Sequence, residues 1–145
     1  MLKGISPLIC PDLYKVLYEM GHGDTLVIAD GNFPAASIAK DAILIRLDGH
    51  GVPEILENIL KLMPLDQYSD QAVTLMERCE GDTADISIWD TYHQIVDNAD
   101  PRGTSLIGTL ERFAFYEEAK KAYAVIATSE TSQYANIILQ KGCVL

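Results

Sequence analysis

The sequence predicts a single three-layer α/β/α domain over residues 1–145, in which a mixed, largely buried sheet of about six strands lies between two layers of helices. Two observations lead to this fold class. Short, almost wholly apolar runs recur along the chain and indicate strands that are buried on both faces. Between them lie longer segments whose apolar residues have helical spacing. The two patterns alternate without a linker or a repeat, which favours parallel strands joined by crossovers and leaves room for antiparallel edge strands.

The first third of the chain contains one helix pattern and two strand patterns. The helix begins near Pro11, and Gly21 is expected to end it in the left-handed conformation that glycine favours. Its apolar stripe follows the i, i+3, i+4, i+7 spacing: Leu13, Val16, Leu17 and Met20. The first strand is TLVIAD (25–30). The second is DAILIRLD (41–48), in which Arg46 indicates one polar face.

The same two patterns predict the elements of the remaining chain. The segment 77–105 is polar and rich in turns, and only its second half carries a helix pattern. The predicted elements are a helix at 52–63, a strand at 71–76, a helix from about 88 to 98, a helix at 109–122 capped by Thr109, and strands at 122–130 and 136–142.

Charge and cysteine content limit the classes of partner. The chain has 21 acidic and 11 basic residues and a formal net charge of −10. Nucleic acids and anionic membranes attract clustered Lys and Arg, so neither is expected as a partner, and a neutral substrate suits this charge better. No apolar run approaches the roughly 20 residues of a membrane span, and no signal-peptide pattern begins the sequence. Three cysteines without paired spacing indicate free thiols in a cytoplasmic protein: Cys10, Cys79 and Cys143.

The motifs of several enzyme classes are absent. The histidines His22, His50 and His93 have no metal-binding spacing, and neither a phosphate-binding loop nor a nucleophile elbow occurs. General acid–base chemistry by His22 remains, because imidazole ionises near physiological pH and two flanking glycines let it turn into a cleft. A helix C-cap is an equally good interpretation of this Gly-His-Gly segment, and both interpretations stay open at this point.

Two further pairs of polar side chains are candidates for a site. Tyr134 and Asn136 are two residues apart, which in an extended segment places both on one face, where a phenol and an amide could bind hydroxyl groups. Arg112 and Tyr116 are four residues apart on a predicted helix and are therefore neighbours. A turn with an aromatic plug and a surface Arg stacked on its own helix are the structural alternatives.

Several segments, in order, together resemble the fucose branch of the ribose/fucose pyranase–mutarotase family. They include LKGISPLICPDLYKVLYEMGHGD, ILKLMPLDQY, ERFAFYEEAKKAYAVIATSE and YANIILQKG. The resemblance runs nearly end to end and is weak only over 77–105. It implies a ribose pyranase-like fold, interconversion of the α and β anomers of a free monosaccharide such as L-fucose, no cofactor and no metal. It also implies a homo-oligomer, which is a decamer in some bacterial members.

The resemblance also assigns roles to individual residues. His22 matches the proton-transferring histidine, with Tyr116 expected as a second proton-handling or orienting group. The positions that match sugar-binding or site-lining residues are Asp30, Asp66, Met76, Arg112, Tyr134 and Asn136. The C6 methyl of L-fucose calls for an apolar neighbour, which Met76 or Phe113 could supply.

Two alternatives to an L-fucose mutarotase remain open at the level of sequence. One is a D-ribose-type pyranase or mutarotase, and the other is a non-catalytic monosaccharide-binding module that would not need His22. The sequence also raises a geometric question, because a strand of six to eight residues separates its ends by roughly 20 Å. His22 and Asp30 can therefore share one sugar only if the chain bends back or if a neighbouring subunit completes the site.

Overall fold

Six strands form one sheet in the computed structural model, which describes residues 1–145. Their bounds are β1 Thr25–Ala29, β2 Ile43–Leu47, β3 Val73–Met76, β4 Ile107–Leu110, β5 Ala124–Thr128 and β6 Ile137–Gln140. The order across the sheet is β2-β5-β1-β6-β3-β4. Every neighbouring pair is parallel except those of β6, which runs antiparallel to both β1 and β3. The prediction of a mixed sheet is therefore confirmed, but the antiparallel strand lies inside the sheet and not at its edge.

Helices cover both faces of this sheet. They are α1 Pro11–Glu19, α2 Ala35–Ile38, α3 Val52–Leu60, α4 Ile88–Ala99 and α5 Arg112–Lys120, with short 3₁₀ turns at Ala39–Asp41 and Gly103–Leu106. The apolar sides of α1, α3 and α4 share one core with one face of the sheet, and α2 and α5 share a second core with the other face. The three-layer α/β/α prediction is confirmed. None of these helices has the length and apolar character needed to cross a membrane.

Strand β1 is the clearest case of a sequence pattern that predicts burial. Leu26 and Ile28 point into the core of α1, α3 and α4, while Val27 and Ala29 point into the core of α2 and α5. All four side chains are fully buried, as a central strand with helices on both faces requires. Strand β2, in contrast, is an edge strand, and its Arg46 is exposed as the polar face of that pattern predicted.

The predicted start of α5 is wrong by three residues. Residues Ile107–Leu110 form β4, which pairs with β3, and the helix begins only at Arg112. The cap is Glu111 and not Thr109: the Glu111 carboxylate accepts hydrogen bonds from the backbone N–H groups of Phe113 at 3.0 Å and Ala114 at 3.2 Å. A four-residue strand that contains Gly108 is too short to show an alternating pattern, so the helix pattern that follows it was extended over it.

The predicted left-handed cap at Gly21 is also wrong. Helix α1 ends at Glu19, and Met20 leaves it in an extended conformation, with φ −58° and ψ 133°. The positive φ of this turn falls on Gly23. The ammonium of Lys141, at the end of β6, satisfies the last carbonyls of the helix: its Nζ donates to the backbone oxygens of Leu17 at 2.7 Å and Met20 at 2.5 Å.

Replacing the Lys141 ammonium should therefore destabilise the protein. We expect Lys141→Met, which keeps the aliphatic stem, to lower the free energy of unfolding by about 1.5–3 kcal/mol, the usual range for hydrogen bonds to a charged group. Urea unfolding followed by circular dichroism measures this change. Lys120→Met is the matched control, because the Lys120 ammonium is exposed and reaches only Glu117 on its own helix. Equal losses in both variants would contradict the capping role.

Candidate functional site

A cavity of about 210 Å³ opens at one end of the sheet, where the carboxyl ends of the parallel strands meet the amino end of β6. Because β6 reverses direction between β1 and β3, the loops of these strands diverge there and leave a crevice, as happens at switch points of α/β sheets. The cavity is smaller than the roughly 300–1,000 Å³ of sites for drug-sized ligands and suits one small molecule. Its lining residues are Asp30, Asn32, Phe33, Met76, Arg112, Tyr116, Gln133, Tyr134 and Asn136.

Asp30 follows β1 directly and provides a buried carboxylate, only 6% exposed. Burial raises the pKa of the Asp30 carboxyl, and hydrogen bonds from the backbone N–H groups of Asn32, Ala135 and Phe33 and from the Asn136 side chain oppose that rise without cancelling it. The backbone N–H of Asp30 donates in turn to Asn136 Oδ1 at 2.7 Å. These contacts tie the end of β1 to the start of β6 and aim both polar side chains at the cavity.

Arg112 and Tyr116 form the opposite wall. Arg112 Nε donates to the Tyr116 hydroxyl at 3.1 Å, and the guanidinium carbon lies 5.5 Å from the centre of the Tyr116 ring. The Phe33 ring meets Tyr116 edge to face at a centroid distance of 5.5 Å. The predicted i, i+4 pair is thus held between an aromatic neighbour and solvent, and the remaining guanidinium N–H groups can donate to a ligand.

Tyr134 and Asn136 both line the cavity, but the reason given by their spacing is wrong. Tyr134 has φ 53°, a left-handed conformation that is rare for a bulky residue, and it does not lie in an extended segment. Two hydrogen bonds from α4 hold this turn. Trp89 Nε1 donates to the backbone carbonyl oxygen of Tyr134 at 2.9 Å, and the Tyr92 hydroxyl donates to the backbone carbonyl oxygen of Ala135 at 2.6 Å.

The other two candidates, His22 and Asp66, lie together at the opposite end of the strands. His22 Nε2 is 2.9 Å from Asp66 Oδ1, which also accepts the backbone N–H of Tyr68 at 3.0 Å. Burial acts to raise the pKa of Asp66, but these two contacts, with the charge of Arg102, hold it below its ordinary value. The His22 side chain is 46% exposed, and its ring lies 5.4 Å from that of Tyr68.

The structure thus divides the candidates into two groups. Six line the cavity, whereas His22 and Asp66 lie beyond the other end of β1, whose five residues at roughly 3.3 Å each separate the groups by about 16 Å. The cavity is also lined by Asn32, Phe33 and Gln133, which were not predicted, although each is within three residues of a predicted site residue. Phe113 does not line the cavity. No three His, Cys, Asp or Glu side chains converge in a way that could hold a metal ion.

Comparison with known proteins gives one consistent set of similarities. Residues 3–144 match the model of the RbsD / FucU transport protein family. The fucose mutarotase of Danio rerio is 46% identical over 148 residues, which cover 99% of this chain and 95% of the relative. The crystal structure of FucU from Bifidobacterium longum shares 61% identity with a TM-score of 0.97, over 99% of this chain and 100% of that one. The fucose mutarotase of Streptococcus pneumoniae, in complex with L-fucose, shares 52% identity with a TM-score of 0.93, over 99% of this chain and 100% of that one.

The burial of Asp30 predicts a stability that depends on pH. Because its pKa is raised in the folded state, the folded protein binds this proton more tightly than the unfolded chain. The associated stability is present below the unfolded value of 3.8 and is lost as the pH rises through the folded value. We therefore expect Asp30→Asn to be more stable than the wild type at neutral pH, with a difference that shrinks towards zero near the unfolded value.

Urea unfolding at neutral pH and at about pH 4 measures this difference. Asp70→Asn is the control, since the Asp70 side chain is exposed and has no hydrogen-bond partner. A variant that is less stable than the wild type at both pH values would show that the carboxylate contributes to the fold more than its burial costs.

Proposed function

This chain belongs to the RbsD / FucU transport protein family, and on that premise we propose that it is an L-fucose mutarotase, a cofactor-independent isomerase that interconverts the α and β anomers of the free sugar. The similarity to fucose mutarotases over nearly the whole chain supports the substrate. The observation that carries the proposal is the cavity at the carboxyl end of the parallel strands, where the carboxylate of Asp30, the guanidinium of Arg112 and five further polar side chains converge over an apolar wall.

Exchange of anomers needs two proton movements and little else. A base removes the proton of the anomeric hydroxyl while an acid protonates the ring oxygen, so that the ring opens to the aldehyde. Rotation about the C1–C2 bond and reclosure by the reverse transfers give the other anomer. One group that gives a proton and one that takes it, each at hydrogen-bond distance, are sufficient. We assign these roles to His22 and Tyr116.

The remaining polar residues of the cavity suit the hydroxyl groups of a pyranose. Asp30 offers acceptors and Arg112 offers donors, and Asn136 is held between the backbone and side chain of Asp30. A polyol that leaves water needs such partners, because each buried hydroxyl without one costs about 1–3 kcal/mol. Met76 is only 4% exposed and supplies the apolar wall for the C6 methyl, whereas Phe113 lies outside the cavity.

The separation of His22 from this cavity leads to a proposal about assembly. We propose that the protein is a homo-oligomer, with the decamer of some bacterial relatives as the model, in which His22 and Asp66 of one subunit complete the cavity of another. The exposed His22 ring and the 73% exposed Tyr68 beside it support this arrangement, since they leave an imidazole available at the surface. The Asp66 carboxylate, 2.9 Å from Nε2, fixes the orientation of that imidazole.

Two coarser features follow the same proposal. We propose that residues 1–145 act as one sugar mutarotase domain, because a single sheet includes strands from both ends of the chain. We also propose a cytoplasmic location, which the three unpaired cysteines support. The alternatives remain a D-ribose-type pyranase or mutarotase and a non-catalytic monosaccharide-binding module.

The activity is tested by NMR saturation transfer between the anomeric protons of free sugars. We expect the wild type to accelerate exchange of L-fucose more than that of D-ribose at equal concentration, and His22→Ala to lose about 10²–10⁴ of the acceleration, the usual contribution of acid–base catalysis. His50→Ala is the matched control, because that exposed histidine pairs only with Glu54. Faster exchange of D-ribose would favour the ribose-type alternative, and binding without acceleration would favour the module.

The shared site is tested by mixing two variants of low activity. His22→Ala and Tyr116→Phe subunits, coexpressed at equal amounts, should regain activity because about a quarter of the sites between two random subunits combine both wild-type residues. Recovery is measured by the same exchange assay, with each variant alone as the reference. If no activity returns although native mass spectrometry shows oligomers that contain both variants, His22 and Tyr116 do not act together across an interface.

A further inference from the structure

The segment between β3 and α4 makes direct contact with the Tyr134 hydroxyl. Asp82 Oδ2 lies 2.5 Å from the hydroxyl oxygen, and the backbone N–H of Cys79 approaches the same oxygen at 3.3 Å. This is the part of the chain in which the sequence showed no site residue. Its contact with a cavity-lining side chain indicates that it contributes to ligand selection.

The direction of each hydrogen bond follows from the chemistry of the partners. An ionised carboxylate can only accept, and a backbone N–H can only donate. The Tyr134 hydroxyl therefore gives its single proton to Asp82 and uses one lone pair for Cys79. What remains for a ligand in the cavity is a lone pair, which accepts a hydrogen bond and cannot donate one.

We propose that Asp82 is a positioning residue that makes Tyr134 an obligate hydrogen-bond acceptor, so that the cavity selects a sugar hydroxyl that donates to Tyr134. The inference rests on the proposed function in so far as the ligand is a sugar. It adds to that function a residue, a segment and a direction of hydrogen bonding that determine which analogues the site accepts.

The backbone around Tyr134 is held independently of Asp82. Trp89 and Tyr92 of α4 bind the carbonyl oxygens of Tyr134 and Ala135, and Tyr92 is fully buried. The backbone of this turn is thus held by the helix, while Asp82 binds the hydroxyl proton of the side chain. A change of Asp82 should therefore alter the direction of the hydrogen bond and leave the cavity intact.

The charges near this hydroxyl are consistent with a neutral phenol and an ionised carboxylate. The hydrogen bond from Tyr134 lowers the pKa of Asp82, and the same bond raises the pKa of Tyr134 to about 12. The other charged and titratable groups that face the pair are Arg78, Arg112 and Cys79. Arg78 also donates to the Ala84 oxygen at 3.0 Å and so fixes the loop that carries Asp82.

The first experiment needs no sugar. Tyrosinate absorbance is titrated to about pH 11 in the wild type, Asp82→Asn and Tyr134→Phe, with circular dichroism to verify the fold at each step. The difference from Tyr134→Phe isolates one of the seven tyrosines. A pKa of about 12 leaves only about a tenth of Tyr134 ionised at pH 11 in the wild type. In Asp82→Asn we expect ionisation near the ordinary tyrosine pKa of about 10. Asp90→Asn removes an exposed charge on α4 and should behave as the wild type.

The second experiment reads the direction of the hydrogen bond from analogues. Binding of L-fucose and of its 2-, 3- and 4-deoxy and matching fluoro derivatives is measured by NMR titration. The hydroxyl that faces Tyr134 is the one whose removal weakens binding to the wild type but does not weaken binding to Tyr134→Phe. At that position we expect the wild type to bind the deoxy and fluoro analogues equally weakly, because fluorine cannot donate. Asp82→Ala, unlike Asp82→Asn, leaves no side-chain oxygen that could accept the Tyr134 proton. In this variant the proton is free and should favour the fluoro analogue by about three- to tenfold.

Each outcome decides a different statement. A wild type that prefers the fluoro over the deoxy analogue would show that Tyr134 donates and would overturn the proposal. Tyr134 ionisation that is the same in the wild type and Asp82→Asn would overturn it as well. If L-fucose does not bind to the wild type, the proposed function fails, and the titration without sugar alone then decides whether Asp82 holds the Tyr134 proton.

Discussion

The antiparallel insertion of β6 between β1 and β3 is the constraint on which the rest of the structure depends. In a wholly parallel sheet the segment 131–136 would enter β6 at the opposite end of the sheet, far from Asp30. The reversal brings the start of β6 to the carboxyl end of β1, where the Asp30 N–H binds Asn136 Oδ1 at 2.7 Å. The carboxyl end of β6 has the same effect at the opposite end of the sheet. There Lys141 caps α1, and the backbone oxygen of Gln140 accepts the backbone N–H of Asp66. One strand thus positions both groups of candidate residues.

Asp30 is the residue at which the proposed ligand-binding role has a cost in stability. A carboxylate that is 6% exposed is costly to ionise, and burial raises its pKa even though three backbone N–H groups and one amide support the charge. Those N–H groups belong to the residues after β1 and before β6, so the strand reversal that builds the cavity also supplies its electrostatic support. A ligand hydroxyl that donates to Asp30 would add to this support when it displaces water. The unfavourable burial of this carboxylate is therefore a form of preorganisation.

Elements that a local pattern encodes were predictable, and contacts between distant segments were not. The run TLVIA predicts a buried strand that delivers Asp30 to its end, and it forms one. Strand β4 escaped because four residues with a central glycine carry no period, and its place is determined only by pairing with β3. The end of α1 was misassigned because its cap is Lys141, more than a hundred residues away. For the same reason the pairing of His22 with Asp66 and the contact of Asp82 with Tyr134 have no signature in the sequence.

The division of candidate residues between the two ends of the strands constrains how this protein can act. In the cavity, Tyr116 accepts a hydrogen bond from Arg112 and packs against Phe33. The His22 imidazole, the type of side chain best suited to exchange protons near neutral pH, lies beyond the far end of the five-residue strand β1. Bending the chain to unite them would break the β1–β5 and β1–β6 pairings at the centre of the sheet. A contact between subunits requires no such change, because the cavity opens at one end of the sheet and the His22 side chain is 46% exposed at the other. The rigidity of the buried sheet is thus the physical argument for a site that two copies complete together.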